Sequence, residues 1–209
     1  KLDGGEGIDS LQGGLGNDTL QSIENVIGEA GNDTITGNTG NNIFWDGAGN
    51  DVVRGGGGDD RYVAGSGNDD FQGGLGHDTV DYSLAVGAVT IDLKQQRTTG
   101  ADKDGFSSVD SAIGSMFADT LLGSDGINTL SGGGGNDTLR SGRGADTLTG
   151  GAGDDLFWFR ASDVASGKSN RYGMDTITDF GVDDVLDLSD VVRDGNSPID
   201  SRIVARDTA

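Results

Sequence analysis

The feature that most constrains this chain is a nine-residue period. An aspartate or asparagine recurs at nine-residue intervals, and two residues after each comes one large apolar residue. The polar positions are Asp33, Asn42, Asp51, Asp60, Asp69 and Asp78 in one run, Asp119, Asn128, Asp137, Asp146 and Asp155 in a second, and Asp9 and Asp18 in a short third. The apolar positions are Leu11, Leu20, Ile35, Phe44, Val53, Tyr62, Phe71, Val80, Leu121, Leu130, Leu139, Leu148 and Phe157. Since no polar residue interrupts the apolar series, the period predicts a repeated structural unit.

The repeated unit reads Gly-Gly-x-Gly-x-Asp-x-apolar-x, which predicts one turn followed by one short strand. A strand of about three residues has room for one inward side chain, because successive residues point to opposite faces. The glycines permit a tight turn and let main-chain carbonyl groups crowd together. Carbonyl and carboxylate oxygens suit calcium, which takes about six to eight oxygen ligands. One loop cannot supply that number, so two loops must share each ion.

The nonapeptide resembles the calcium-binding repeat of the RTX (repeats-in-toxin) family, and the resemblance covers nearly the whole chain. It implies an all-β fold, a right-handed parallel β-roll, or β-solenoid, of calcium-binding nonapeptide repeats in two blocks with a C-terminal cap. It also implies that the repeat aspartates bind calcium. We therefore take all thirteen polar residues of the period, Asp9 and Asp18 included, as candidate calcium ligands.

The period also predicts which loops share an ion. Because each repeat makes one turn and one strand, repeats two apart stack on the same edge, about 4.8 Å from each other. The predicted pairs are Asp33 with Asp51, Asp51 with Asp69, Asn42 with Asp60, Asp60 with Asp78, Asp119 with Asp137, Asp137 with Asp155, and Asn128 with Asp146. We thus expect several calcium ions, about seven or more. Asn42 and Asn128 keep an oxygen but lose a charge, so we expect weaker or differently coordinated sites there.

Composition limits the alternatives. The chain has 40 glycines, one proline, no cysteine and a formal charge of -21, so no disulfide can stabilise its many turns. Acidic side chains stacked about 5 Å apart repel one another without a cation, which predicts a largely disordered calcium-free state. The acidic balance argues against nucleic acid as a partner. No apolar run is long enough for a membrane span, and no export signal of the charged-then-apolar type opens the chain.

A longer repeat overlies the nonapeptides. The segment Ser-Ile-Glu-Asn-Val-Ile-Gly at 22–28 recurs 86 residues later as Ser-Val-Asp-Ser-Ala-Ile-Gly at 108–114, and each copy leads into a run of the period. The expected segments are 1–21, the end of a preceding repeat block; 22–81, the first β-roll block; 82–107, an excursion; 108–158, the second β-roll block; and 159–209, a capping and secretion-associated region. Lys1, Leu2 and Asp3 match the end of a further nonapeptide, so we expect a piece of a longer protein.

The excursion breaks the period. Val89, Ile91 and Leu93 alternate with polar residues, which predicts a strand followed by a polar loop. Asp102 and Asp104 match a fragment of an EF-hand loop, but the other ligands and the closing glutamate are missing. We favour a surface loop over a calcium loop here.

The last stretch resembles the terminal region of serralysin-type proteases, alginate epimerase modules and large type I secreted adhesins. Aromatic residues cluster there, as a solenoid cap requires. The resemblance implies a monomeric module that passes unfolded through the type I secretion machinery and folds outside the bacterial cell, secreted or at the cell surface. By the same resemblance, Asp175 and Asp179 hold one further ion; an exposed acidic strand edge is the alternative.

The function classes can be separated on the residues present. An enzyme is not expected, because the chain has no cysteine and its single histidine, His77, occupies an outward loop position. The period accounts for the paired acids without catalysis, and no Gly-Lys-Ser/Thr follows the glycine loops to suggest phosphate binding. A disordered glycine-rich linker would not keep the apolar series intact. The alternative function is an adhesive or polysaccharide-binding module, with Arg54, Arg61, Arg140 and Arg143 as candidate contacts.

Overall fold

The structure, a computed structural model, describes residues 2–3, 10–22, 25–100, 103–160, 163, 174–192 and 204–205. Nearly all regular structure in these ranges is β-strand, with one four-residue helix. Among the described residues, no helix has the length and apolar character needed to cross a bilayer. The all-β prediction is therefore confirmed.

The strands are short, as expected when only one residue per repeat faces inward. In chain order they are β1 Leu2–Asp3, β2 Ser10–Leu15, β3 Thr19–Gln21, β4 Asn25–Ala30, β5 Thr34–Thr36, β6 Ile43–Trp45, β7 Val52–Gly57, β8 Arg61–Val63, β9 Asp70–Leu75, β10 Thr79–Asp81, β11 Thr90–Asp92, β12 Arg97–Thr99, β13 Gly105–Ser107, β14 Ser111–Ile113, β15 Thr120–Leu122, β16 Thr129–Gly134, β17 Thr138–Arg140, β18 Thr147–Ala152, β19 Leu156–Trp158, β20 Thr176–Ile177, β21 Val185–Asp187 and β22 Val204–Ala205. The helix α1, Ser189–Val192, lies between β21 and β22.

The described strands form two sheets that face each other. Sheet A has the order β1-β3-β5-β7-β9-β13-β12-β11-β15-β17-β19-β21, and sheet B has the order β2-β4-β6-β8-β10-β14-β16-β18-β20-β22. Successive repeats thus alternate between the sheets, and repeats two apart pair in parallel. In sheet A, Ile35 aligns with Val53 and Val53 with Phe71, while in sheet B, Phe44 aligns with Tyr62. Each aligned pair is 18 residues apart, so two nonapeptides make one coil, which confirms the predicted stacking.

The core is a single file of side chains between the sheets. Of the thirteen apolar residues of the period, Leu11 is partly buried and the other twelve are buried. Buried residues other than these thirteen extend the same file, among them Val26, Ile91, Phe106, Ala112 and Ile177. The file is narrow, because each coil contributes about two inward residues.

The excursion joins the two blocks rather than separating them. β11, β12 and β13 form an antiparallel insert in sheet A, between β9 of the first block and β15 of the second. Phe106 aligns with Phe71 on one side, and Ile91 aligns with Leu121 on the other. The predicted strand around Ile91 is present, and sheet A remains continuous across the break in the period.

The 86-residue repeat has a structural counterpart in the backbone. Ser22 and Ser108, which open the two copies, both adopt a left-handed conformation, with φ of 57° and 54°. This conformation is uncommon for residues other than glycine. Each copy then supplies an inward residue of sheet B, Val26 or Ala112, which aligns with the next coil. The two opening coils are therefore built alike.

Candidate metal centre

The aspartates of the period lie in loops that connect the two sheets. Loops from sheet B to sheet A form the first edge of the solenoid, and loops from sheet A to sheet B form the second edge. The first edge carries Asp18, Asp33, Asp51, Asp69, Asp119, Asp137 and Asp155. The second edge carries Asn42, Asp60, Asp78, Asn128 and Asp146. Asp9 lies outside the described residues.

On each edge the aspartates of successive coils stack above one another, and we call each stack a ladder. One oxygen of each ladder carboxylate is fixed by a hydrogen bond from the preceding coil. The main-chain N–H of Asp33 donates to Oδ1 of Asp51 at 2.7 Å, and that of Asp51 donates to Oδ1 of Asp69 at 2.8 Å. On the second edge, the N–H of Asp60 donates to Oδ1 of Asp78 at 2.9 Å. Each carboxylate is thereby held in one orientation between two coils, with its Oδ2 pointing away from the donor.

The other oxygen has no hydrogen-bond donor. Within the described residues, Oδ2 is buried and unpartnered in Asp33, Asp51, Asp60, Asp69, Asp78, Asp137, Asp146 and Asp155. A buried polar atom left unsatisfied costs about 1–3 kcal/mol, and more when it is charged. Eight such atoms at repeating positions indicate oxygens reserved for a cation.

The glycines preserve the space around these oxygens. A Cβ atom at Gly55 would lie 2.5 Å from the carbonyl oxygen of Gly73 in the next coil, and closer still to Oδ2 of Asp60. At Gly57, in the same loop, a Cβ atom would lie 3.7 Å from its nearest neighbour. The first glycine of the loop is therefore required sterically, because a carboxylate oxygen and a carbonyl oxygen converge on it.

Burial makes these carboxylates hard to ionise in the absence of a positive charge. It raises the pKa of Asp51 to about 6 and that of Asp60 to about 7, despite the lowering effect of a main-chain N–H on each. Burial likewise raises the pKa of Asp137 and of Asp146 to about 7. A cation bound nearby would favour the ionised forms.

The donor set fits calcium. It consists of carboxylate and carbonyl oxygens only, without thiolate or imidazole, which is the set that a hard divalent cation prefers. The orphaned oxygens and the converging carbonyl groups belong to the same loops. Acidic side chains also gather closely in one place, at Asp46, Asp51 and Asp69.

The asparagines differ from the aspartates in having their side chains satisfied by the protein. Oδ1 of Asn42 accepts the N–H of Asn38 at 3.1 Å, and its Nδ2 donates back to the Asn38 side chain. Oδ1 of Asn128 accepts the N–H of Ser124 at 2.7 Å, and its Nδ2 donates to the carbonyl oxygen of Asp110 at 2.9 Å. These contacts support the expectation of weaker or differently coordinated sites.

Asp175 and Asp179 have main-chain partners on different edges. Oδ1 of Asp175 accepts the N–H of Asp146 at 2.9 Å, so Asp175 extends the ladder of the second edge. Asp179 accepts the N–H groups of Gly150 and Gly151, in a loop of the first edge. That the two residues hold one further ion stays a prediction, which these separate partners do not favour.

Asp104, expected on a surface loop, is buried within the ladder. Its Oδ1 accepts the N–H of Asp69 at 2.9 Å, and its Oδ2 accepts the hydroxyl of Tyr82 at 2.6 Å. The surface-loop prediction is wrong for Asp104, because the insert returns to the first edge on top of Asp69. Asp102 lies outside the described residues.

Two more ladder residues were not among those predicted from the sequence. Oδ1 of Asp184 accepts the N–H of Asp155 at 2.9 Å, and Oδ2 of Asp110 accepts the N–H of Asp78 at 3.4 Å. Chain of irregular length separates each of them from the loop it covers. The available signal lay on the other side, because Asp110 precedes Asp119 by nine residues and Asp184 follows Asp175 by nine.

A second ladder lies outside the first and was also missed. Oδ1 of Asn32 accepts the N–H of Asn50, and Oδ1 of Asn50 accepts that of Asn68, both at 2.9 Å. Here the asparagine side chain accepts a hydrogen bond from a main-chain N–H of the following coil. The aspartate side chains accept one from a main-chain N–H of the preceding coil. Adjacent coils are thus connected in both directions. The recurrence of asparagine directly before the aspartate was the signal.

His77 lies where the sequence predicted, on the exposed side of a loop. Its imidazole is 72% exposed, and Nδ1 lies 3.9 Å from a carboxylate oxygen of Asp110. The imidazole is a solvated loop side chain.

The comparison with known proteins agrees with the geometry. A family model described as RTX calcium-binding nonapeptide repeat (4 copies) matches residues 1–22, 27–62, 54–83, 113–148 and 132–161. The matched residues make up more than half of the chain. No curated protein matches it.

Proposed function

The chain belongs to the family of RTX calcium-binding nonapeptide repeats, and from that premise we propose that calcium controls whether this module is folded. It is a calcium-binding module, and its solenoid is a structural fold rather than a catalytic one. In our proposal the module is unfolded at low calcium and folds when calcium fills its loops outside the cell. The observation that carries the proposal is the set of eight buried Oδ2 atoms without a donor.

Folding and ion binding are one reaction in this proposal. The ladder carboxylates come from loops 18 residues apart, so the unfolded chain contains no preformed site. Folding without a cation would bury the carboxylates with their charges uncompensated. A cation that binds only the folded form stabilises it by mass action. Extracellular calcium modules bind in about the 10⁻⁴ to 10⁻³ M range, so cellular location would decide the state.

We assign the ions to pairs of stacked loops on each edge, about seven in all as the period predicts. The proposed ligands are the thirteen polar residues of the period, Asp9 to Asp155, with Asp175 extending the second edge and Asp179 closing a loop of the first. Asp104 and Asp184 join the first-edge ladder by the same main-chain contact.

RTX repeat proteins are generally secreted by bacteria. A chain that stays unfolded in low calcium suits passage through type I secretion machinery, and the absence of cysteine removes the possibility of disulfides that would obstruct it. We propose that the module supports export and extracellular folding of a larger protein. The five segments predicted from the sequence, with the cap at 159–209, remain our proposal for its organisation.

Circular dichroism during a calcium titration tests the proposal. In chelator we expect a spectrum dominated by disordered chain, and a cooperative gain of β-structure as calcium is added. Magnesium should not replace calcium, because it is smaller and gives up its water reluctantly. Full β-structure and a sharp melting transition in chelator would contradict the proposal.

Two adjacent aspartates provide a matched pair of variants. Oδ2 of Asp60 is buried without a donor, whereas Asp59 lies at the outer position, and its Oδ1 accepts the N–H of His77. Asp60→Asn should raise the calcium concentration needed for folding several-fold. Asp59→Asn removes the same charge one residue away and keeps the acceptor, so it should change that concentration little. Equal shifts would mean that net charge, rather than ligation, governs folding.

A surface cavity favours a second function, binding of an acidic polysaccharide. The cavity has a volume of about 270 Å³ and is lined by Lys94, Arg140, Trp158 and Arg160, among others. The Arg160 guanidinium lies 4.0 Å from the centre of the Trp158 ring. Of the four arginines named from the sequence, Arg140 lines this cavity and pairs with Asp163. An aromatic ring among cationic side chains suits a sugar ring that carries carboxylates.

Calorimetric titration with uronic acid oligosaccharides, in calcium, tests this second function. Trp158→Ala should abolish binding, and Arg54→Ala, a change on sheet A outside the cavity, should leave it intact. If the unaltered protein binds no such oligosaccharide, the second function is wrong.

A further inference from the structure

Asp46 occupies a loop position that glycine fills in most other repeats. Four six-residue loops of the first block open with glycine (Gly28, Gly37, Gly55 and Gly73) and one opens with Ala64, but the loop at 46–51 opens with aspartate. Asp46 is 1% exposed. An acidic residue this deeply buried needs a partner or a ligand.

The geometry of the glycine loops shows where a side chain at this position points. A Cβ atom at Gly28 would lie 2.8 Å from Oδ2 of Asp33, and one at Gly114 would lie 2.6 Å from Oδ2 of Asp119. The first loop position therefore faces the carboxylate five residues later. At Asp46, the side chain is directed into the equivalent space beside Asp51.

A close group of three carboxylates results. Oxygens of Asp46, Asp51 and Asp69 lie within 4.8 Å of one another, and all three residues are buried. No comparable trio occurs elsewhere in the described ranges. Oδ2 of Asp51 and Oδ2 of Asp69 have no hydrogen-bond partner, although these residues are only 1% and 4% exposed. These unpartnered oxygens point to a ligand independently of the clustering itself.

The Asp46 carboxylate is held in place without a positive charge. Its Oδ1 accepts the N–H groups of Gly47 at 2.9 Å and Gly65 at 2.7 Å, and its Oδ2 accepts the hydroxyl of Tyr62. Each carboxylate oxygen can accept two hydrogen bonds, so Oδ2 keeps one free lone pair. The two amides and the phenol orient the group but leave its charge uncompensated.

We propose that Asp46, Asp51 and Asp69 together form a three-carboxylate site that binds the most tightly held cation of this module. The inference rests on the proposed function, because Asp51 and Asp69 belong to the ladder, and it adds a ligand that lies outside the nonapeptide pattern. Charge count and rigidity tune calcium affinity, and a stacked pair elsewhere supplies at most two carboxylates. A trivalent lanthanide should favour this site more strongly still, because the Coulomb attraction grows with ion charge.

Isothermal titration calorimetry on the full chain, with calcium and then with terbium, tests the site. Asp46→Asn keeps the size and one acceptor oxygen but removes the third charge, so the tightest ion should bind about tenfold more weakly or be lost. Asp183→Asn removes one charge from an exposed residue far along the chain and should leave the tightest ion unchanged. Asp46→Asn binding its first ion as tightly as the unaltered protein, or more tightly, would overturn the proposal.

A second measurement does not depend on the folding of an Asp46 variant. Because the Tyr62 hydroxyl contacts Asp46, tyrosine-excited terbium emission reports occupancy of this site. Tyr62→Phe keeps all three carboxylates but removes the nearby tyrosine. Relative to the unaltered protein, the variant should lose a larger fraction of the terbium emission at the first equivalent of terbium than at saturation. An equal fractional loss overturns the inference. If the unaltered chain binds no calcium at all, it is the proposed function that fails.

Discussion

The two blocks use the same repeat but differ in how well the protein alone satisfies their carboxylates. In the first block, all five ladder aspartates from Asp33 to Asp78 have a buried Oδ2 without a donor. In the second block, the first ladder carboxylate has its donors: Oδ2 of Asp119 accepts the N–H of Ser115, and Oδ1 accepts the Ser115 hydroxyl and the N–H of Val89. Asn128, the next member, is satisfied by Ser124.

This contrast shows that loops with the same consensus sequence differ in how many of their carboxylate oxygens the protein itself satisfies. A serine at the second loop position supplies an N–H and a hydroxyl. Both donate hydrogen bonds to the carboxylate, whereas in eight other loops Oδ2 has no donor. Under the proposed function, we expect the opening coil of the second block to form at lower calcium than the coils of the first block. Because Oδ2 of Asp137, Asp146 and Asp155 is buried without a donor, we expect the later coils of the second block to need the ion again.

The largest expected effect is on local opening as calcium is lowered. Amides of β5 to β10 should lose hydrogen-exchange protection at a calcium concentration where β14 and β15 remain protected about a thousandfold better. The reason is the uncompensated Oδ2 atoms of the first block. Hydrogen exchange followed by mass spectrometry would measure this, and loss of protection in both blocks at one calcium concentration would break the comparison.

The next effect compares one aspartate from each block. Asp78→Asn removes a charged oxygen that lacks a donor, so in calcium we expect a loss of about 2–3 kcal/mol in the free energy of unfolding. Asp119→Asn weakens hydrogen bonds to Ser115, so we expect a loss of about 1 kcal/mol.

Comparing the residual β-structure of both variants in chelator, by circular dichroism, sharpens the test. The order of the two variants should invert, because Asp78→Asn then removes a buried uncompensated charge while Asp119→Asn still loses its hydrogen bonds. Equal effects of the two substitutions on calcium affinity would show that Asp119 is a full ligand and that the blocks are equivalent.

A smaller effect concerns pH in the absence of calcium. The folded-state pKa is raised to about 6 for Asp51 and about 7 for Asp60, whereas the unfolded value is near 4. The folded chain thus binds more protons between these values, and its stability rises as the pH falls from about 8 to about 5. Circular dichroism in chelator should therefore show the residual β-structure increasing as the pH is lowered across this range.

In saturating calcium the pH trend should reverse. Protons then compete with the ion for Asp51, Asp60 and Asp137, so acidification lowers calcium affinity and with it the stability. Melts at several pH values in calcium would measure this. Residual β-structure that also falls on acidification in chelator would mean that the carboxylates are not buried uncompensated in the ion-free fold.

The smallest expected effect is that of Ser115→Ala. Loss of the hydroxyl removes one hydrogen bond to Asp119 while the main-chain N–H remains, so we expect about 1 kcal/mol of destabilisation. The calcium requirement of the second block should move toward that of the first. An unchanged calcium requirement for β14 and β15 would show that serine does not account for the difference between the blocks.

The regular part of the fold could be predicted because its contacts repeat with the sequence. Once one nonapeptide is a turn plus a strand, the pairing of Asp33 with Asp51 and of Phe44 with Tyr62 follows from counting. Asp104 shows the limit of that argument. It lies 35 residues after Asp69, and only the path of the antiparallel insert brings it into the ladder.

Asp46 and Asp179 show a second limit. The sequence indicates that Asp46 replaces a glycine, but not that its carboxylate lies between those of Asp51 and Asp69. Similarly, the family resemblance favoured one ion for Asp175 and Asp179, whereas their main-chain partners lie on opposite edges. Which donors reach a side chain depends on loops that follow no period.

The sequence by itself determined the solenoid, its 18-residue coil, its file of apolar side chains and the acidic ladders. It could do so because each of these needs only contacts between identical units at a fixed separation. The tertiary structure alone decided which carboxylate oxygens are left without donors and which are satisfied by serine, asparagine or tyrosine. Those outcomes depend on the path of the chain between coils, where a shift of a few ångströms makes or removes a hydrogen bond.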